Sequence, residues 1–265
     1  MSTSATGART AVDTRPRDGG TAASLPARIL RHGAYEALAM LRNGEQLVLA
    51  IVLPLLALAA LVLTPLLDAY GGSRIDVAAP GVLALCTMST AFTGQGIATG
   101  FDRRYGVLRF LSTTPLGRSG LILGKAVAVA VVLAVQLVVI GGTALLMGWE
   151  PQLVGLLPAA LLLLVGSAAF TALGLLVAGT LRPEATLAVT NLVWILLAAA
   201  GGVIIPAAAL PAAAAPVVAL LPSAALGDGL RSALVDGNLD LIACLVLLAW
   251  AALSSLAAIR WFKWS

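Results

Sequence analysis

Six apolar stretches of about twenty residues or more, each almost free of charge, leave this sequence few ways to fold. They are Leu47 to Leu67, Pro80 to Gly100, Gly120 to Leu146, Leu153 to Ala178, Ala185 to Ile205 and Leu239 to Ile259. At about 1.5 Å per residue, a helix of that length crosses the roughly 30 Å of hydrocarbon in a bilayer. Composition agrees: 11% of residues are charged, where soluble domains carry about 25%. The expected fold is all-α, a polytopic membrane protein whose transmembrane domain occupies residues 26–265. The small residues, among them 27 glycines, suit helices that pack closely in lipid.

Residues 1–25 are polar and lack an apolar core, so they are expected to be a disordered segment rather than a signal peptide or a span. From Pro26 onward, Leu30, Ala34, Leu38 and Leu41 recur at helical spacing opposite Arg28, His32, Glu36 and Arg42. That pattern predicts a helix lying in the membrane interface, with His32 on its solvated face. Of the 16 Lys and Arg residues, all but Arg74 and Arg231 fall in the N-terminal part, the 101–125 segment, the loop at Arg182 and the tail. The positive-inside rule then places both termini and the 101–125 segment in the cytoplasm; the plasma membrane is the expected location. Trp149, Trp261 and Trp264 stand at helix ends, as an aromatic belt would. Pro206, Pro211, Pro216 and Pro222 rule out a spanning helix between residues 206 and 238. Short helices dipping into the outer half of the membrane, then a surface helix near Leu226 to Leu234, are expected there.

Chemical signatures are sparse. Gly120-Leu-Ile-Leu-Gly124-Lys125 falls short of a phosphate loop, because Ser119 stands at the first glycine position and Ala126 at the hydroxyl position. Lys125 is expected to snorkel toward the inner headgroups. Carboxylates, histidines and nucleophiles are not clustered in the sequence, so no catalytic residue, metal site or cofactor is expected. Cys86 and Cys244 lie in apolar runs and read as small hydrophobes. The spans hold only neutral polar groups, among them Ser89, Thr90, Thr93 and Gln95 in the second and Asn191, near Trp194, in the fifth. Ser89, Thr90 and Thr93 have the option of bonding back to their own helix. Asn191 needs a neighbouring helix, a water or a substrate.

The long polar and basic segment from Phe101 to Lys125 separates the second and third apolar runs. At helical spacing, Phe101, Tyr105, Leu108 and Leu111 share one face while Asp102, Arg103, Arg104 and Arg109 share the other, predicting an amphipathic helix that Pro115 ends. Ser119 is then placed to cap a helix starting at Leu121. With its Gly106, Leu108, Leu111, Thr114-Pro115-Leu116, Arg118 and Gly124-Lys125, the segment resembles the coupling-helix region of the membrane subunits of type-two ATP-binding-cassette exporters. That family usually opens the segment with two glutamates flanking a basic residue; here there is Asp102 alone. The prolines after the fifth run and the Gly227-Asp-Gly-Leu-Arg231 stretch resemble the external re-entrant element of the same exporters.

The resemblance implies a permease subunit that is not itself an enzyme. Two such subunits, identical or similar, enclose a pathway, and two copies of a separate ATPase subunit dock on the coupling helices. Asp102, Arg103, Arg104, Tyr105, Leu108 and Arg109 are the expected ATPase-coupling residues. The second and fifth spans are expected at the seam between permeases, with Thr90, Thr93, Asn191 and Trp194 along the substrate pathway. An uncharged pathway favours amphipathic, drug-like or lipid-like cargo; membrane lipid is the surrounding partner, and no nucleic acid is expected. The alternative is a non-catalytic scaffold or assembly subunit of a membrane complex.

Overall fold

The computed structural model describes residues 23–70, 72–112 and 116–262. The expected disordered N-terminus thus lies almost wholly outside the described residues, as do Pro115, Lys263 and Trp264. In chain order the helices are α1 (Leu25–Arg42), α2 (residues 44–63), α3 (Arg74–Arg104), α4 (Val107–Ser112), α5 (residues 117–146), α6 (Leu156–Thr180), α7 (Pro183–Ala200), α8 (Ala215–Ala219), α9 (Pro222–Asp236) and α10 (Leu241–Trp261). Among the described residues there are no strands, and α3, α5, α6, α7 and α10 are long and apolar enough to cross a membrane. The first expected span is α2, whose apolar part, Val48–Leu63, is shorter. Thr64 turns extended ahead of Pro65 and ends it.

Local chemistry sets the ends of these helices. Pro26 and Pro183 sit in the first turns of α1 and α7, where a missing N–H costs nothing. Asp240 caps α10 by accepting a hydrogen bond from the Ala243 amide at 3.0 Å. Three stretches widen to π-helix without breaking the rod: Val48–Val52 in α2, Ser89–Gly94 in α3 and Leu137–Gly141 in α5.

The second span is the hub. In its most apolar stretch 83% of residues are buried, against 11% in α7. The core runs along it through Val82, Met88 and Phe92, met by Leu162 and Phe170 of α6 and by Leu226 and Leu230 of α9. Of the two spans expected at a seam, α3 is therefore enclosed by its own chain, and α7 is the one that keeps an open face.

Several expectations change. The helix near Leu226 to Leu234 is not a surface helix: it extends over Pro222–Asp236, and Ala224, Leu226, Leu230 and Ala233 have no exposure at all. Alanine and glycine make that stretch slim enough to enter between spans. The fifth span stops at Ala200, short of Ile205, because the chain beyond it turns in to meet α9. There Arg231 donates to the carbonyls of Gly202, Val203 and Ile204 and to Asp228, supplying the cover that irregular backbone needs at membrane depth. Trp149 is buried rather than belted at an interface. Ser119 lies inside α5, which starts at Gly117, and caps nothing. On α1 the solvated face is also reassigned: His32 and Glu36 turn toward α5, while Leu30 and Leu38 are exposed.

Candidate functional site

The single amphipathic helix expected from Phe101 does not form. The second span runs on as helix to Arg104, and the chain then breaks at Gly106, whose φ of +73° an L side chain rarely adopts. A separate two-turn helix, α4, follows. The break splits the expected apolar face. Tyr105 is 71% exposed and stacks on Phe101, whereas Leu108 is 1% exposed and packs inward. Phe110, on the same short helix, is 70% exposed. The side chains of Arg109 and Leu111 lie outside the described residues.

Behind these aromatics is a clamp of charges. Lys125 is 2% exposed, and its Nζ donates to Glu36 Oε1 and Asp102 Oδ2 at 3.0 Å each. Lys125 therefore does not snorkel; it ties α1, the end of α3 and the start of α5 to one point. A buried ammonium requires opposite charge, and two carboxylates supply it. His32 Nε2 stands 3.2 Å from the same Glu36 oxygen. Arg103 donates to the carbonyls of Ala178 and Leu181 at 2.9 and 2.8 Å, closing the C-terminal end of α6. Arg104 pairs with Glu184 in the first turn of α7 at 3.4 Å. Of the expected coupling residues, Asp102, Arg103 and Leu108 thus hold the segment in place, while Tyr105 faces outward.

Deeper in the bundle, the three π stretches converge. Gln136, at the edge of the one in α5, donates from Nε2 to the Ala50 carbonyl in the π stretch of α2 at 2.8 Å. Its Oε1 accepts from Thr90 Oγ1 in the π stretch of α3 at 3.1 Å. A wide turn offsets the backbone bonding pattern, and such turns are frequent at functional sites. Thr90 therefore bonds across helices and not back to its own. Alongside lies a cavity of about 500 Å³ lined by Thr90, Thr93 and Asn191, with Asn43, Gln46 and Phe101. Thr93 Oγ1 is buried and lacks a hydrogen-bond partner among the described residues. Three of the four expected pathway residues are thus brought together. Trp194 is not among the residues lining this cavity, although its Nε1 is likewise buried and unsatisfied. Among the described residues, no group of three or more His, Cys, Asp and Glu is placed to hold a metal ion.

Glu36, Lys125 and Gln136 are the residues that sequence reasoning missed. A signal was present: a lone ammonium or amide inside an apolar run demands a partner on another helix. What such a spacing lacks is the partner's name.

Among known families, the model described as ABC-2 type transporter matches residues 32–235. No curated protein matches the chain.

Proposed function

The chain belongs to the ABC-2 type transporter family, a membrane permease working with a separate ABC ATPase, and we propose that it forms the translocation pathway of an exporter for amphipathic, drug-like or lipid-like molecules. The observation that carries the coupling part of this reading is the pair of exposed aromatics, Tyr105 and Phe110, on a mount that Leu108 and the Lys125 clamp hold from behind. Large aromatic side chains presented on a rigid base suit an anchor that fills a partner's groove. The partner is the ATPase, docking on the basic end in the cytoplasm, two copies per pair of permeases. The second permease, identical or similar, meets the open face of α7.

The cargo reading rests on the cavity at Thr93 and Asn191. It offers hydrogen-bonding groups without charge, which suits a mostly apolar molecule carrying a few polar atoms. Nucleotide-driven closure of the ATPases shifts two such bundles between packings open to either side, and the energy for the shift comes from their differential affinity for those packings. Orientation follows the basic residues, which put both termini in the cytoplasm, and we take the plasma membrane as the compartment. Copurification with the ATPase, followed by cargo movement in reconstituted vesicles, tests the assignment. Retained ATPase and ATP-dependent cargo accumulation are expected.

A further inference from the structure

A second cavity, of about 630 Å³, lies within the subunit between α3, α5, α6 and α10, away from the residues assigned to the pathway. Its walls are mostly apolar, with the hydroxyls of Ser167, Thr171 and Ser255 among them, Ser167 donating to the Leu164 carbonyl of its own helix, and its rim is exposed at Ile122, Leu164 and Ile259. In a chain that spans a bilayer, such a rim opens sideways onto lipid. Along α5 the lining runs from Leu121 to Ala130 and along α6 from Leu164 to Leu175, about 14–17 Å at the helical rise, or roughly half of the hydrocarbon thickness. That is the depth of one leaflet.

Thr99 and Lys125 stand together at one end of it. Thr99 is 1% exposed, lines the cavity, and its Oγ1 has no partner among the described residues. Lys125 lines it too, and its ammonium carries three donors, of which Glu36 and Asp102 take two. Both groups offer hydrogen bonds. Thr99 lies one helical turn, about 6 Å, inside Arg103, the level where a lipid's ester carbonyls sit beneath its headgroup. A buried hydroxyl left unsatisfied is costly, so an acceptor at that spot is favoured.

We propose that this cavity is a lipid site, holding one acyl chain of a glycerolipid from the leaflet at the basic end, with the chain's ester carbonyl accepting from Thr99 and from the third N–H of Lys125. Leu108 of α4 lines the same cavity, so the bound chain packs against the underside of the helix that presents Phe110. The site rests on the membrane fold alone and not on the export reading.

The test is native mass spectrometry of the delipidated full-length protein, titrated with diester phosphatidylglycerol and with its diether counterpart of the same headgroup and chain length. One diester lipid per chain, bound about three- to tenfold tighter than the diether, is expected from one or two hydrogen bonds to the carbonyl. The isosteric Thr99→Val variant should reduce that preference, and Ala168→Phe, which fills the end away from Lys125, should weaken both lipids. Equal affinity for diester and diether in the unaltered protein overturns the proposal, as does an ester preference that Thr99→Val leaves intact.

Discussion

Glu36 and Asp102, on helices that enter the bundle from different parts of the chain, accept hydrogen bonds from one and the same ammonium, that of Lys125. The end of the second span, α1 and the third span are thereby fixed to each other close to the exposed Tyr105. On the proposed coupling role, transmission of force needs such a joint, because a segment that slides on its own subunit moves nothing.

Lys125→Met should destabilise the protein by about 1–3 kcal/mol, measured as chemical unfolding in detergent. Removing one partner of a buried ionic cluster typically costs about 3–5 kcal/mol, and the partial solvent access of Glu36 and Asp102 reduces it. Adding Glu36→Gln and Asp102→Asn to Lys125→Met should recover much of the loss. A triple variant less stable than the single one would show that the carboxylates act elsewhere.

Arg231→Met should cost more, about 3–5 kcal/mol, since it leaves the carbonyls of Gly202, Val203 and Ile204 without this donor and the Asp228 carboxylate with the Ala207 amide but no opposite charge. Arg231→Lys should rescue only part, because an ammonium cannot reproduce the planar fork of donors. Thermal unfolding of the three proteins side by side checks the order.

Close packing between the second and fourth spans gives a paired prediction. A Cβ at Gly174 would stand 2.6 Å from the Phe92 carbonyl oxygen, whereas one at Gly142 meets nothing within 4 Å. Gly174→Ala should therefore push α6 off α3 and lose about 1–3 kcal/mol. Gly142→Ala should be neutral or slightly stabilising. Equal melting temperatures for the two variants would contradict this packing.

Thr93→Leu and Asn191→Leu should each alter cargo preference while leaving insertion intact, since leucine suits the membrane. Gln136→Leu should act differently, loosening the contact between α2 and α3 by leaving Thr90 and the Ala50 carbonyl unsatisfied. Transport across a panel of amphipathic cargo, with unfolding measured in parallel, separates the two effects.

Much of this architecture was legible from apolar run length, because crossing a bilayer fixes how long a helix must be. The runs from Leu153 and from Leu239 end within a few residues of the observed helices for that reason. The burial of α9 was not legible: proline spacing excludes a span, but says nothing about whether a small-residue helix lies on the surface or slips between spans. The 101–111 segment shows the other limit. Periodicity put Tyr105 and Leu108 on one face, and a single glycine at position 106 sent them to opposite sides. At the site, Thr90, Thr93 and Asn191 stood out as polar groups in apolar runs, yet the pairing of Thr90 with Gln136 and of Lys125 with Glu36 joins distant parts of the chain and needs the fold.

The central claim, that the basic segment couples this permease to an ATPase, is tested most directly by Tyr105→Ala together with Phe110→Ala. Both side chains are exposed, so the fold should survive their loss, and Leu108 with the Lys125 clamp remains. Burying each in a partner contributes about 1.5–3 kcal/mol, so docking should weaken by about two orders of magnitude or more. The measurement is cargo-stimulated ATP hydrolysis and cargo accumulation in vesicles reconstituted with permease and ATPase. A correctly inserted double variant with little transport and ATP hydrolysis no longer responsive to cargo is the predicted result; full, cargo-stimulated transport by that variant would contradict it.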